Sequence, residues 1–291
     1  MNGGTIVECV PNVSEGRDAR ILDELSSCLY GVRVLDRSSD TDHHRSVFTF
    51  AGNPEEVLAA AVRLAGLAVH HLTLASHEGV HPRMGVLDVL PFIPISGLSL
   101  TDCAALARRA AEMVWQQFQL PSFFYEAAGS SPLEEIRRIA KAGEPPHTGT
   151  GRHPTAGAVA IGARNFLIAW NIWLNADDLP LAKRIARTIR ASSGGFGGVK
   201  ALGLALPSRK LVQISINTVD FEATPLHIVF EAVETLAGEA HVTVLGSELI
   251  GLIPQQAIDL SRGHDLRWLN WRDDMVFERR YSKGSASNPC P

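Results

Sequence analysis

The densest run of chemistry-bearing side chains is Ser76-His77-Glu78-Gly79-Val80-His81-Pro82-Arg83-Met84-Gly85. Imidazoles carry protons near neutral pH, and a guanidinium holds anions, so this segment suits proton transfer on an anionic substrate. His77-Glu78-x-x-His81 also spells a zinc-hydrolase motif, which requires a continuous helix with both imidazoles on one face. Gly79 lies inside that motif and Pro82 follows it. Glycine weakens a helix, and a residue before proline is pushed out of the helical region. No obvious third ligand follows in register, and no metal is expected. The segment reads as a rigid turn presenting His81 and Arg83 ahead of an apolar strand; a hydrogen-bonded structural histidine is the competing reading.

Two further clusters stand nearby. Asp36-Arg37-Ser38-Ser39-Asp40-Thr41-Asp42-His43-His44-Arg45 mixes carboxylates and imidazoles, as a metal site or a solvated hairpin loop would. Pro11-Asn12-Val13-Ser14-Glu15-Gly16-Arg17 joins a strand to a helix, and Asn12 or Ser14 can serve there as a helix cap.

These clusters need a frame to hold them. Periodicity predicts strand Thr5–Pro11, helix Asp18–Leu29, strands Val32–Asp36 and Ser46–Ala51, helix Pro54–His71 and strand Val86–Ile93. Asn53 and Pro54 supply a cap and a first helical residue for the long helix. The same order returns as Phe166–Asn175, Leu179–Ala191, Val199–Leu206, Leu211–Val219, Pro225–Ala237 and Val242–Gly246, with Thr224 as a plausible cap. Twice β-α-β-β-α-β predicts an α+β protein of two ferredoxin-like subdomains, with antiparallel or mixed sheets and helices packed on one face. The expected division is residues 1–165, 166–263 and a charged tail, 264–291. Between the units come a helix at Thr101–Phe118, a short strand near Ser122–Tyr125 and a helix around Leu133–Lys141. Gly143–Gly157 reads as an irregular loop beside a ligand site, and Ser192–Gly198 as a mobile glycine linker.

Composition narrows the function classes. The 291 residues are 45% hydrophobic and 20% charged, with net charge −4, giving no whole-molecule attraction to nucleic acid or anionic membrane. No signal peptide or membrane-spanning stretch is visible. The four cysteines are scattered, as reduced thiols of a cytoplasmic protein would be.

Several long segments carry a family resemblance. They are Glu8-Cys9-Val10-Pro11-Asn12-Val13-Ser14-Glu15-Gly16, His44-Arg45-Ser46-Val47-Phe48-Thr49-Phe50, His81 through Pro94, Gly162 through Asn171, and Gly246 through Pro254. In this order they resemble the formiminotransferase domain found in formiminotransferase-cyclodeaminase and stand-alone glutamate formiminotransferases. The likeness spans about Ile6 to Ile258, nearly the whole chain.

The resemblance implies a two-subdomain enzyme, usually a homodimer. It would move the formimino group from N-formimino-L-glutamate to tetrahydrofolate in histidine breakdown and one-carbon metabolism. It implies His81 as the general base and folate in a cleft between subdomains, near the loop preceding Gly157. Arg45, Arg83 and Arg164 are the candidate cations for the glutamate carboxylates and the folate tail. With Asn12, Ser14 and Gly157 they form the expected binding set. Tetrahydrofolate, often as a polyglutamate, is the expected co-substrate, and no cyclodeaminase half is expected. Glu78, Val80, His44 and Ser38 depart from the usual family residues, and segment 143–157 is shorter than in the full-length enzymes, with Ala156 where they have tryptophan. A folate-binding paralogue with a changed donor or no turnover is the alternative.

Overall fold

Proline and the alternation of apolar residues set the lanes of the first sheet. The computed structural model describes residues 4–41, 44–77, 83–206 and 209–283. Strand β1 (Ile6–Cys9) and strand β2 (Asn12–Val13) share one lane, broken at Pro11, which has no N–H to offer. Helix α1 (Ala19–Ser27), strands β3 (Arg33–Asp40) and β4 (Arg45–Gly52), and helix α2 (Pro54–His71) follow. Next come strand β5 (Leu87–Ser96), helix α3 (Leu100–Phe118), strand β6 (Ser122–Glu126), helix α4 (Leu133–Ala142) and strand β7 (Val159–Ala163).

The lanes run β3, β4, β1 with β2, β5, β7, β6. The first four are antiparallel and have the order of a ferredoxin-like sheet, whereas β5, β7 and β6 pair in parallel. Strand β7 is an addition to the expected pattern. It is buried throughout, so it lacks the period-two signal of a half-wet strand.

Caps fix where the helices start. Asp18 accepts from the amides of Arg20 and Ile21, Asn53 accepts from Glu55, and Ser99 with Asp102 forms a reciprocal capping box. Neither Asn12 nor Ser14 caps a helix. One face of the sheet buries Val7, Phe48, Phe50, Leu87, Leu90 and Phe92 against Leu25 of α1, Leu58 and Leu64 of α2 and Ala107 and Val114 of α3. Each fully buried large side chain contributes about 1.5–3 kcal/mol. On the other face α4 sets Ile136 and Ala140 against Met84, Val89, Phe123, Tyr125 and Ala160.

The contact pattern assigns Asn165–Lys283 to a second unit. It contains strand β8 (Ile168–Leu174), helix α5 (Leu179–Ile189), strands β9 (Val199–Leu206) and β10 (Leu211–Thr218), and helix α6 (Leu226–Glu239). Strand β11 (Val244–Ile250), helix α7 (Gln255–Leu260) and helix α8 (Phe277–Lys283) complete it. Its sheet has the order β11, β8, β10, β9, antiparallel throughout. Trp170 is fully buried, its indole N–H donating to Thr218 Oγ1 at 3.1 Å. Thr224 does not cap α6; its hydroxyl donates to Gly197 O at 2.7 Å and so ties down the glycine segment. Leu266, Met275 and Phe277, from the stretch expected as a tail, are buried, the first two in the core of this unit. Among the described residues no helix is long and apolar enough to cross a membrane.

Helix α5 lies directly on β9 because Gly203 has no side chain: a Cβ there would meet the Ala182 carbonyl carbon and the Lys183 nitrogen, each at 2.4 Å. Gly203→Ala should lower stability by about 1–3 kcal/mol through overpacking, read as a lower urea midpoint with unchanged slope. An unchanged midpoint would show that the helix can ride outward freely.

Candidate functional site

The loop after β2 is held by its side chains. Buried Ser14 donates its hydroxyl to Gly85 O at 2.9 Å and its amide to Val86 O at 2.8 Å, fastening this loop to the entry of β5. One oxygen of Glu15 accepts the amides of Gly16, Arg17 and Asp18 at 2.7–2.9 Å. The same oxygen meets His44 Nε2 at 3.2 Å. Burial alone would raise the Glu15 carboxyl, but the Asp18 and Arg17 amides, with His44, outweigh it and hold the group below its ordinary range. Gly16 lets the β3–β4 hairpin come close: a Cβ there would sit 2.3 Å from Asp40 O and 2.6 Å from Arg45 N. That hairpin keeps strand geometry through Asp40 and from Arg45, further than the predicted loop allows.

His44 adopts a left-handed backbone, φ 48°, a conformation in which histidine is enriched among non-glycine residues. Its ring stacks on His77 with centroids 4.1 Å apart. His77 Nε2 lies 2.9 Å from the His44 carbonyl, which can only accept, so a hydrogen bond there needs the proton on Nε2. The Arg83 guanidinium contacts both ring nitrogens. Burial first, then the neighbouring Arg83 and His44, keep the His77 imidazole below its ordinary value, against the pull of the backbone bonds. His77 has φ −88° and ψ 121°, so no zinc-hydrolase helix passes through it. Glu78 through Pro82, and with them His81, lie outside the described residues, as do Asp42 and His43.

A second focus forms around Asp88 on β5. One of its oxygens accepts the Met84 amide at 2.7 Å, and the other pairs with Arg137 Nη2 of α4 at 2.6 Å. Arg83 and Arg45 also act on this carboxylate. Arg45 donates to Asn12 Oδ1, and Asn12 lies opposite Val89 of β5. The sheet thus gathers Asn12, Arg45 and Arg83. Sequence reading did not single out Asp88 or Arg137. A charge within an apolar strand is a visible signal for the first; nothing local marks the second.

Gly157 belongs to the framework beneath this focus. It pairs backbone to backbone with Gly85, has φ +76°, and a Cβ on it would lie 2.4 Å from Met84 O. His153 closes the turn before it, exchanging backbone hydrogen bonds with Gly157 at 2.8 and 3.0 Å. Arg164 lies elsewhere. Its amide reaches Phe92 O at 3.2 Å and its guanidinium bonds Tyr125, four positions up β5 from Asp88, or about 13 Å of strand.

Comparison with known proteins identifies both parts of the chain. The formiminotransferase domain, N-terminal subdomain, matches residues 6–164, and the formiminotransferase domain matches residues 169–265. A glutamate formimidoyltransferase of Streptococcus pyogenes serotype M1 is 38% identical over 270 residues, covering 87% of this chain and 90% of its own. Its counterpart in Thermoplasma acidophilum is 34% identical, covering 97% of this chain and 99% of its own. The formimidoyltransferase-cyclodeaminase of Mus musculus is 35% identical across 87% of this chain, which spans 51% of that longer protein. The chain belongs to the formiminotransferase domain family.

Proposed function

We propose that the protein transfers the formimino group of N-formimino-L-glutamate to tetrahydrofolate, giving 5-formiminotetrahydrofolate and glutamate. The observation that carries this reading is likeness over 87% and 97% of the chain, at 38% and 34% identity, to two glutamate formimidoyltransferases. The proposed setting, taken from the family resemblance, is a cytoplasmic homodimer acting on small molecules without a metal.

The chemistry suits the residues. The formimino carbon is part of an amidine, which protonates readily and becomes electrophilic. The folate N5 attacks it and sheds a proton as the tetrahedral intermediate forms. A neutral imidazole at His81 takes that proton and returns it to the departing glutamate nitrogen, acting as base and then acid. Holding two amines in register contributes at least as much as the base. Arg83 is two residues from His81 and acts with Arg45 on the same carboxylate, which suits both to a carboxylate of the donor. Arg164, about 13 Å along the sheet, suits the folate tail instead. Ser14 and Gly157 serve the site by holding its backbone, and Asn12 by holding Arg45.

Mixing the purified protein with tetrahydrofolate and formiminoglutamate, and following product absorbance, tests the reaction. His81→Ala should lower kcat by about 10²–10⁴. Equal turnover by the variant would remove His81 from the mechanism, and folate binding without turnover would favour the folate-binding alternative.

Acid should weaken the fold around the site. The folded-state values of His77 and Glu15 are both depressed, so the unfolded chain binds more protons as pH falls. Stability from His77 is complete above its ordinary 6.5 and is lost as pH drops below it; for Glu15 the loss begins below 4.5. The Tm gap between the parent and His77→Gln should therefore shrink between pH 7 and pH 5. A gap that stays constant across that window would contradict a neutral, half-buried His77.

A further inference from the structure

Asp88 is nearly inaccessible, with 3% of its side chain exposed, so both oxygens need donors. They have them, in the Met84 amide and Arg137. Arg137 pairs with this carboxylate, Arg83 directly precedes the Met84 amide that it accepts, and Arg45 is held by Asn12 opposite the neighbouring Val89, so three guanidiniums from β4, the turn before β5 and α4 lie within its electrostatic reach. A structural ion pair needs one. Arg137 remains 23% exposed along its side chain, and its buried Nε has no hydrogen-bond partner. A guanidinium has five N–H donors in a planar fork suited to carboxylates, and Asp88 engages only one nitrogen of Arg137. Such a cluster is built to be completed by an anion.

We propose that Arg137 joins Arg45 and Arg83 in a subsite for a glutamate-type carboxylate of the donor substrate, with Asp88 holding the three in register. This rests on the formimino-transfer reading for the identity of the donor. Asp88 then has two duties. Through the Met84 amide it fixes the turn that carries Arg83, and through Arg137 it aims the third cation. The folate tail offers the same chemistry, because it too ends in glutamate carboxylates; the kinetic arms below separate the two sources.

The test compares the parent with Arg137→Gln and Arg137→Lys. L-Glutamate binding is read by calorimetry, KM by varying formiminoglutamate and monoglutamyl tetrahydrofolate in turn, and folding by thermal melts. Arg137→Gln should weaken L-glutamate binding and raise the donor KM by about ten-fold or more, as loss of a charge-assisted hydrogen bond does. The KM for tetrahydrofolate and kcat should hold, and Arg137→Lys should recover part of the loss. Should Arg137→Gln fail to fold around an unpaired Asp88, Arg137→Lys, which keeps the charge opposite Asp88 but not the planar fork, carries the expectation of weaker L-glutamate binding and a raised donor KM. Unchanged glutamate affinity and donor KM in a folded variant would overturn the subsite. A rise confined to the tetrahydrofolate KM would overturn its assignment to the donor. If the parent transfers no formimino group but binds L-glutamate through Arg137, the reaction reading falls and the subsite stands. Transfer with an Arg137-independent donor KM gives the reverse.

Discussion

A carboxylate inside an apolar sheet is tolerated only when each oxygen meets a donor, and Asp88 imposes that condition on the first unit. Satisfying it takes a backbone amide from the turn before β5 and a guanidinium from α4. The turn is thereby pinned to a strand rather than left to the flexibility of a loop. With Arg45 and Arg83 within its electrostatic reach, this one buried negative charge sits in a positively charged corner at the start of β5.

Topology makes this corner possible. The core order β3, β4, β1 with β2, β5 is ferredoxin-like, and the second unit repeats it with a sheet that ends at four strands. Only the first unit extends its sheet by the parallel strands β7 and β6, and α4 between them packs on the face opposite α1, α2 and α3. That extra layer is what brings Arg137 to Asp88, residues separated by 49 positions. In the second unit the indole of the fully buried Trp170 is satisfied by the Thr218 hydroxyl.

Much of this was legible in the residues. Alternation and caps disclosed both β-α-β-β-α-β patterns, because half-buried strands and amphipathic helices write their periods into the sequence. Strand β7 escaped because it is buried on both faces and has no period-two signal. The break between β1 and β2 follows from Pro11, yet only pairing with β4 and β5 shows that both pieces keep one lane. Within the site, Asn12, Arg45 and Arg83 are marked by motifs, whereas Ser14 and Gly157 turn out to hold backbone. Arg137 sits on a helix rich in exposed charges, where one more arginine carries no local mark. Its partner is fixed only by folding.

The meeting of Gly85 with Gly157 has a consequence for how this family can change. Residues His153–Gly157 close on themselves and clasp the strand entry through main-chain atoms, leaving no slack at that end. Length differences in the preceding segment must then be absorbed upstream of His153. Trimming that stretch can reshape whatever borders it without loosening the entry of β5.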